Sequence, residues 1–410
     1  MPRSSSPAAA HAVSALPMLS QRRIVLLASV SAANAYYVQP LLVDIGASLH
    51  LSTLMVGLLP ALTQFGVAAG VLLVMPLGDF VSVRRLFCIA MPMQALALAT
   101  MAFASNAGVF IVASLIMGFF GIGPYLMPPY VTLRTPLEKR GHVTGMLAQG
   151  VVTGILAARA VSGVLGHHFG WRTVYGLAAL LMLAAFFLVR RVVQPTVGLP
   201  RPAYVSLLMS VVRLVRSEPA IWRSTLCQAL NFGAFNALWV GLTFHMQSPV
   251  FGWHSDGVGA LAFIAALTAL AAPFVGQFSD KRGVRQTLLI SLSGILLTWV
   301  VLAIIGYSVA GILLGLIIFD LCCMAADVSN RSLVYRLHPG IRTRLNTVYT
   351  TGMFAGGALF SWLTGICWSL GGWQGVCALG ALASILALLV AWWGIGHPVT
   401  HHRAATAGQG

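Results

Sequence analysis

Along the chain, apolar stretches of roughly membrane-spanning length alternate with short polar turns. The first set covers 24–46, 54–77, 86–105, 108–130, 143–166 and 172–189. After a longer polar connection, the second covers 224–247, 257–276, 287–307, 310–333, 345–368 and 374–396. About 20 apolar residues of helix cross a bilayer core, and a helix satisfies its own backbone hydrogen bonds there. The pattern predicts an all-α integral membrane protein with twelve transmembrane helices in two six-helix repeats, 24–189 and 224–396. A tail precedes them (1–23), a linker joins them (190–223) and a second tail follows (397–410). Arg22 and Arg23 precede the first stretch, but it holds Asn34 and Gln39 and lacks a small-residue cleavage site, so it reads as a retained helix. Within the linker, Val205–Val215 is largely apolar, with Ser206, Ser210, Arg213 and the following Arg216 at helical spacing. That predicts an amphipathic helix on the membrane surface.

The two halves echo one another. Met75–Leu86 reads MPLGDFVSVRRL and Gly276–Gln286 reads GQFSDKRGVRQ, which places Asp79 and Asp280 201 positions apart. A shift of 202 superposes Gly150 on Gly352, Gly154 on Gly356, Gly163 on Gly365, Gly170 on Gly372 and Trp171 on Trp373. The same shift carries Asn34 onto Asn236 and Tyr37 onto Trp239. Parallel repeats of this kind point to a transporter. The Gly-x-x-x-Gly pairs, Gly150/Gly154 and Gly352/Gly356, predict faces where helices approach closely.

Composition fits the same solvent: 58% of residues are hydrophobic and only 8% charged, against about 25% charged in soluble domains. The net charge of +16 raises the question of a nucleic-acid partner. With both termini in the cytoplasm, however, all Lys and Arg except Arg159 and Arg172 fall on the cytoplasmic side. The basic charge thus follows the positive-inside rule, and no nucleic-acid partner is expected. The six cysteines fall within spans without zinc-ligand or disulfide spacing. No Walker loop occurs, Lys139 and Lys281 being the only lysines. Neither an enzyme nor a cofactor or metal centre is expected.

Charges inside a bilayer cost about 2.5–3.5 kcal/mol at its centre, so few persist without a use. Asp320 lies near the middle of the tenth stretch, and its carboxyl could carry a proton as access alternates. An equally simple role is a hydrogen bond between helices. Asp327 sits on nearly the same face and can pair with Arg331 at i+4. Arg159, within the fifth stretch, requires a carboxylate or carbonyls and is the counter-charge candidate for Asp320. Asp44 reads as a solvated helix end near the outer end of the first stretch, and His245, near the outer end of the seventh, reads as interfacial.

Together these residues give the chain a resemblance to the major facilitator superfamily, and within it to the drug:proton antiporter and arabinose-efflux-like group. The resemblance rests on both loop motifs, on Asn34, Tyr36, Tyr37, Gln39 and Pro40, on Trp171, on Asp320, Ser329, Asn330 and Arg331, and on Arg344, Asn346 and Tyr349. The loop pattern of the family is approximately G-x-L-A-D-R-x-G-R-R. Gly276, Asp280, Arg282, Gly283 and Arg285 follow it, and so do Gly78, Asp79, Arg84 and Arg85 in an eroded first copy. The resemblance implies that these loops gate access, and that spans 1, 4, 7 and 10 line a central cavity. Asn34, Tyr37, Gln39, Tyr125, Asn231, Phe235, Asn236 and Trp239 would then face the solute. It also implies alternating access in the cell inner (plasma) membrane, with a small organic or drug-like solute and protons as partners and efflux as the direction. Uptake or facilitated diffusion of a sugar or amino-acid-like metabolite, and a non-transporting receptor on the same fold, remain open. So does the oligomeric state.

Overall fold

Helix boundaries follow local chemistry. The structure, a computed structural model, describes residues 18–195, 204–268, 281–337 and 342–394. The Ser52 hydroxyl accepts from Met55 N and starts α3 (Thr53–Val74), while the Asn106 side chain accepts from Val109 N and starts α5 (Ala107–Phe119). Both satisfy backbone donors that a helix start leaves free. Gly170, at φ 81°, separates α7 (Arg140–Phe169) from α8 (Trp171–Val192). Its repeat counterpart Gly372, at φ 54°, breaks α14 (Arg342–Gly394) into two spans. A side chain at either position would meet the left-handed-region penalty. The remaining helices are α1 (Met18–Ala33), α2 (Leu42–Ser48), α4 (Val83–Ala102), α6 (Gly123–Leu133), α9 (Tyr204–Ser217), α10 (Pro219–Met246), α11 (Ser255–Thr268), α12 (Val284–Ile305) and α13 (Val309–Leu337).

These helices build twelve transmembrane spans in two six-helix repeats. Two spans differ from the continuous helices that their sequence predicts. Span 1 is α1 and α2 joined by a chain of turns over 34–41. Pro40 explains the break, because it cannot donate a backbone hydrogen bond and it disfavours helical geometry at Gln39. Span 4 is likewise split at 120–122 between α5 and α6, just before Pro124. Eight stretches of the described residues are long and apolar enough to cross a membrane. Spans 1 and 7, which are repeat counterparts, are not among them. Span 1 is broken into helices of 16 and 7 residues, and the amides of span 7 dilute its apolar pattern; both spans supply much of the site described below.

Each half has its own core, and Val240, Phe244, Met353 and Phe354 of the second half pack against that of the first. The halves meet where α3 packs on α14 and where α7 packs on α11. Both contacts narrow to a glycine pair. A Cβ on Gly57 would lie 2.8 Å from Gly365 Cα, and one on Gly163 would lie 2.9 Å from Gly259 Cα. The two pairs are related by the same 202-position shift, so one crossing is built twice. Gln247 Nε2 adds a hydrogen bond of 3.0 Å to Pro40 O at this end of the molecule. The Gly-x-x-x-Gly faces work within the halves: a Cβ on Gly154 would come within 2.6 Å of Ser29 O, and one on Gly356 within 2.1 Å of Ala229 O. At the opposite, arginine-rich end, α9 packs Val211 with Ile221, Val334, Leu345, Val348 and Tyr349, and Leu72 from the first half joins them. The Tyr204 hydroxyl donates to Leu73 O at 2.6 Å.

Substituting Gly57 with leucine forces backbone apart at the glycine seal and should cost about 1–3 kcal/mol. Hydrogen exchange near Gln247 should rise with it. Gly145→Ala, where an added carbon meets no atom within 4 Å, should instead stabilise by up to about 1 kcal/mol. Unchanged exchange in the Gly57→Leu chain would contradict the seal.

Candidate functional site

The Arg159 side chain on α7 is fully buried at 1% exposure. Its Nε donates to Gln39 Oε1 at 2.7 Å. Three aromatic rings surround the guanidinium: Trp239 at 4.1 Å from the ring centroid, Tyr36 at 5.0 Å and Phe235 at 5.3 Å. The negative faces of these rings replace part of its lost hydration. Gln39 and Tyr36 belong to span 1, whereas Phe235 and Trp239 belong to α10 of the other half. One cation therefore holds three spans and both repeats. The sequence alone calls for a carboxylate or carbonyls here; the structure supplies an amide oxygen and a cage of rings.

Asp320, on α13, is 8% exposed. It interacts electrostatically with Arg159, but the two form no direct ion pair. The Trp239 indole N–H faces the Asp320 carboxylate without reaching hydrogen-bond geometry. Asp320 Oδ1, Arg159 Nη2, Gln39 Nε2 and Trp239 Nε1 are all buried without a hydrogen-bond partner. Leaving a buried polar group unpaired costs about 1–3 kcal/mol. Four such atoms around one cation and one carboxylate mark a place where a water, a proton or a solute group can be accommodated.

The other amides extend this polar layer. Asn236 Oδ1 accepts from Gln64 at 3.3 Å across the halves, and its Nδ2 donates to Phe232 O at 2.9 Å. Asn231 donates to Cys323 O at 3.3 Å, tying α10 to α13, and Asn34 is buried with both amide atoms unpaired. Tyr125 packs edge-on against Phe354, with centroids 5.6 Å apart. Both line a small cavity of about 20 Å³ beside Ser31, Tyr36 and Gln94, room for about one water. Tyr37 is buried, yet its neighbour Tyr36 is the ring that meets Arg159. Gln64 and Gln94 are not among the residues expected from sequence; their signal is that each is an isolated amide within an apolar span. Nothing in the sequence distinguishes Tyr36 from Tyr37.

Asp327 lies apart from this layer. It accepts from Arg331 Nη2 at 3.2 Å and from the Tyr349 hydroxyl at 2.9 Å. His245, read from sequence as interfacial, is 1% exposed. It stacks on Trp373 at 4.4 Å and sits 2.9 Å from Gly306 O. Trp373 itself donates to Leu302 O at 3.0 Å. These aromatic contacts bury a residue that position along the span places near the surface.

The loop motifs have a local role in the structure. Gly78 and the backbone of Asp79 lie in a 3-10 turn, Met75–Asp79. Arg84 Nη2 donates to Arg190 O at 2.8 Å, and Arg285 Nη2 donates to Trp392 O at 3.3 Å. Arg190 and Trp392 are themselves 202 positions apart. Each loop arginine thus caps the carbonyl end of the last span of its own half, where positive charge is favoured. Arg85 is exposed, and Arg282 precedes Gly283, whose φ of 88° starts α12. Gly276 and Asp280 lie outside the described residues.

Comparison with known proteins agrees with this architecture. A sequence profile of the Major Facilitator Superfamily matches residues 24–326 and 226–410. The chain is 33% identical over 386 residues to the uncharacterized transporter YgaY of Escherichia coli O157:H7, covering 92% of this chain and 96% of the relative. It is 30% identical over 393 residues to the "Probable transporter SCO4007" of Streptomyces coelicolor, covering 94% of this chain and 88% of the relative. Among solved structures it is similar to the nucleoside transporter NupG, with a TM-score of 0.73 at 15% identity over 91% of this chain and 99% of that one. It is similar also to a D-xylose–proton symporter, with a TM-score of 0.72 at 15% identity over 92% and 98%. The chain belongs to the Major Facilitator Superfamily and is a multi-pass membrane transporter.

Proposed function

We propose that the protein is a proton-coupled exporter of a small organic solute, working by alternating access about the Arg159–Asp320 layer. The observation that carries this reading is a cation and a carboxylate from opposite halves, close enough to interact yet unpaired, with free polar atoms around them. A protonated Asp320 leaves Arg159 without its compensating charge; an ionised Asp320 restores it. The grip of Arg159 on span 1 and α10 then depends on whether Asp320 carries a proton. The lining is mostly aromatic with scattered amides, which suits a lipophilic or weakly polar solute. A phosphate or dicarboxylate would call for clustered Arg or Lys.

The positive-inside rule puts the arginine-rich end and both termini in the cytoplasm of the inner membrane. The glycine seal then closes the outer side. The loop motifs, Gly78, Asp79, Arg84 and Arg85 with Gly276, Asp280, Arg282, Gly283 and Arg285, act at the cytoplasmic end by keeping each half rigid as it rocks.

A ligand-stabilisation screen on the purified chain identifies solutes, and pyranine-loaded proteoliposomes then report proton movement. Protons and solute should move in opposite directions. Co-directional movement marks uptake by symport, movement only down the solute gradient marks facilitated diffusion, and binding without flux marks a receptor; each overturns the export reading. Asp320→Asn should reduce solute-linked proton movement more than about tenfold, the scale of one lost proton-transfer group. Arg159→Lys should not be conservative, because a point ammonium cannot both stack in the ring cage and reach Gln39; solute binding should weaken about tenfold. Asp327→Asn should cost about 1–2 kcal/mol of stability, read by denaturation, through its lost charge-assisted hydrogen bonds.

A further inference from the structure

The face of α7 that carries Arg159 and Gly163 continues, one turn on, to His167. Successive steps of four residues keep these side chains along one stripe, about 12 Å from first to last. At the end of the stripe His167 meets the other half. Its ring lies 5.0 Å from that of His254, and the nearest ligand atoms of His167, His254 and Asp256 all lie within 4.8 Å of one another. His254 and Asp256 flank the start of α11, next to the Gly163–Gly259 crossing. The Asp256 Oδ1 accepts from Gly257 N at 2.8 Å, which orients the carboxylate and leaves its second oxygen for another partner. Asp44 interacts electrostatically with both His167 and His254 and adds a further negative charge. His168 stacks edge-on against His167 at 4.9 Å. Both His167 and His254 are exposed, so an ion can reach them from solution.

We propose that His167, His254 and Asp256 form a site for a divalent transition-metal ion of the Zn²⁺ class, and that the bound ion clamps the two halves together at the glycine seal. Two imidazoles and a carboxylate are a donor set suited to zinc, with water completing a tetrahedron. Oxygen-seeking Mg²⁺ and Ca²⁺ prefer all-oxygen sites. One ligand comes from the first half and two from the second, so the ion binds only when this end is closed. By linkage, an ion that binds one state alone stabilises that state. The clamp holds α7 near Arg159, and metal occupancy therefore opposes opening of the solute site toward this end. Sequence spacing could not reveal the site, because His167 and His254 are 87 positions apart and on different halves.

Co²⁺ serves as the spectroscopic probe, on the full chain carrying His397→Ala, His401→Ala and His402→Ala so that tail imidazoles do not compete. One Co²⁺ per chain should give the visible bands of tetrahedral coordination, displaced by Zn²⁺ and unaffected by Mg²⁺. His167→Ala, His254→Ala and His254→Gln should each weaken Co²⁺ binding more than about tenfold, while His168→Ala leaves it in place. Zn²⁺ should also slow hydrogen exchange over 160–170 and 253–262 relative to the rest of the chain, and His254→Gln should abolish that slowing. Bands that persist in the His167 and His254 variants overturn the site. Co²⁺ binding with exchange unchanged or uniformly slowed overturns the clamp. Neither readout depends on solute or proton flux, so failure here is distinct from failure of the export reading.

Discussion

A permanently charged guanidinium buried between the two halves is the constraint around which the rest of the protein is arranged. Arg159 cannot be neutralised by losing a proton under ordinary conditions, so its surroundings must do the work of water. Tyr36 and Gln39 from span 1 do part of it, and Phe235 and Trp239 from the other half do the rest. Asp320 supplies negative charge at a remove. A direct buried ion pair would bind its partners tightly and resist rearrangement, whereas breaking one costs about 3–5 kcal/mol. A cage of rings and one amide holds the cation more loosely, which suits the rocking of the halves proposed above.

The helix carrying Arg159 links this layer to the seal. One turn beyond it, Gly163 crosses Gly259, and the Arg159 carbonyl itself lies 3.2 Å from where a Gly259 Cβ would be. Events at the guanidinium and at the seal are thus separated by a single helical turn of rigid backbone. The second crossing, Gly57 on Gly365, repeats the arrangement on the other side of the pseudo-twofold axis. Small residues let backbones meet, and dispersion between them acts without side chains that would interlock and oppose sliding. At the arginine-rich end the design differs: Arg84 and Arg285 fasten spans within their own halves, so each half can move as a unit.

Much of this was legible in the sequence because the bilayer and the duplication both leave periodic marks. Twelve apolar stretches, the 202-position shift and the paired Gly-x-x-x-Gly faces specify the fold and several of its closest contacts. The shift also pairs Gly57 with Gly259, but neither residue stands out among so many glycines until the crossing is seen. Asp320 and Arg159 were readable as rare intramembrane charges. Their surroundings were not: Pro40 marks the break, but which of two adjacent tyrosines turns toward the cation depends on how the broken segment packs against α7 and α10, and that is a tertiary outcome. His245 was misplaced for a similar reason, since its burial comes from stacking on Trp373, more than a hundred residues away. The His167–His254 contact joins separate halves, and no local pattern encodes it.

On the proposed reading, Arg159 and Asp320 compensate one another across the interface without touching. A double-mutant cycle on unfolding stability, using Arg159→Gln, Asp320→Asn and the double variant, tests it most directly. Each single change leaves one charge or its polar cradle uncompensated, and the double change removes both charges together. The double variant should be more stable than the sum of the single effects allows, by at least about 1 kcal/mol, within the range for coupled residues. Additive effects, within the few tenths of a kcal/mol typical of independent sites, would contradict it.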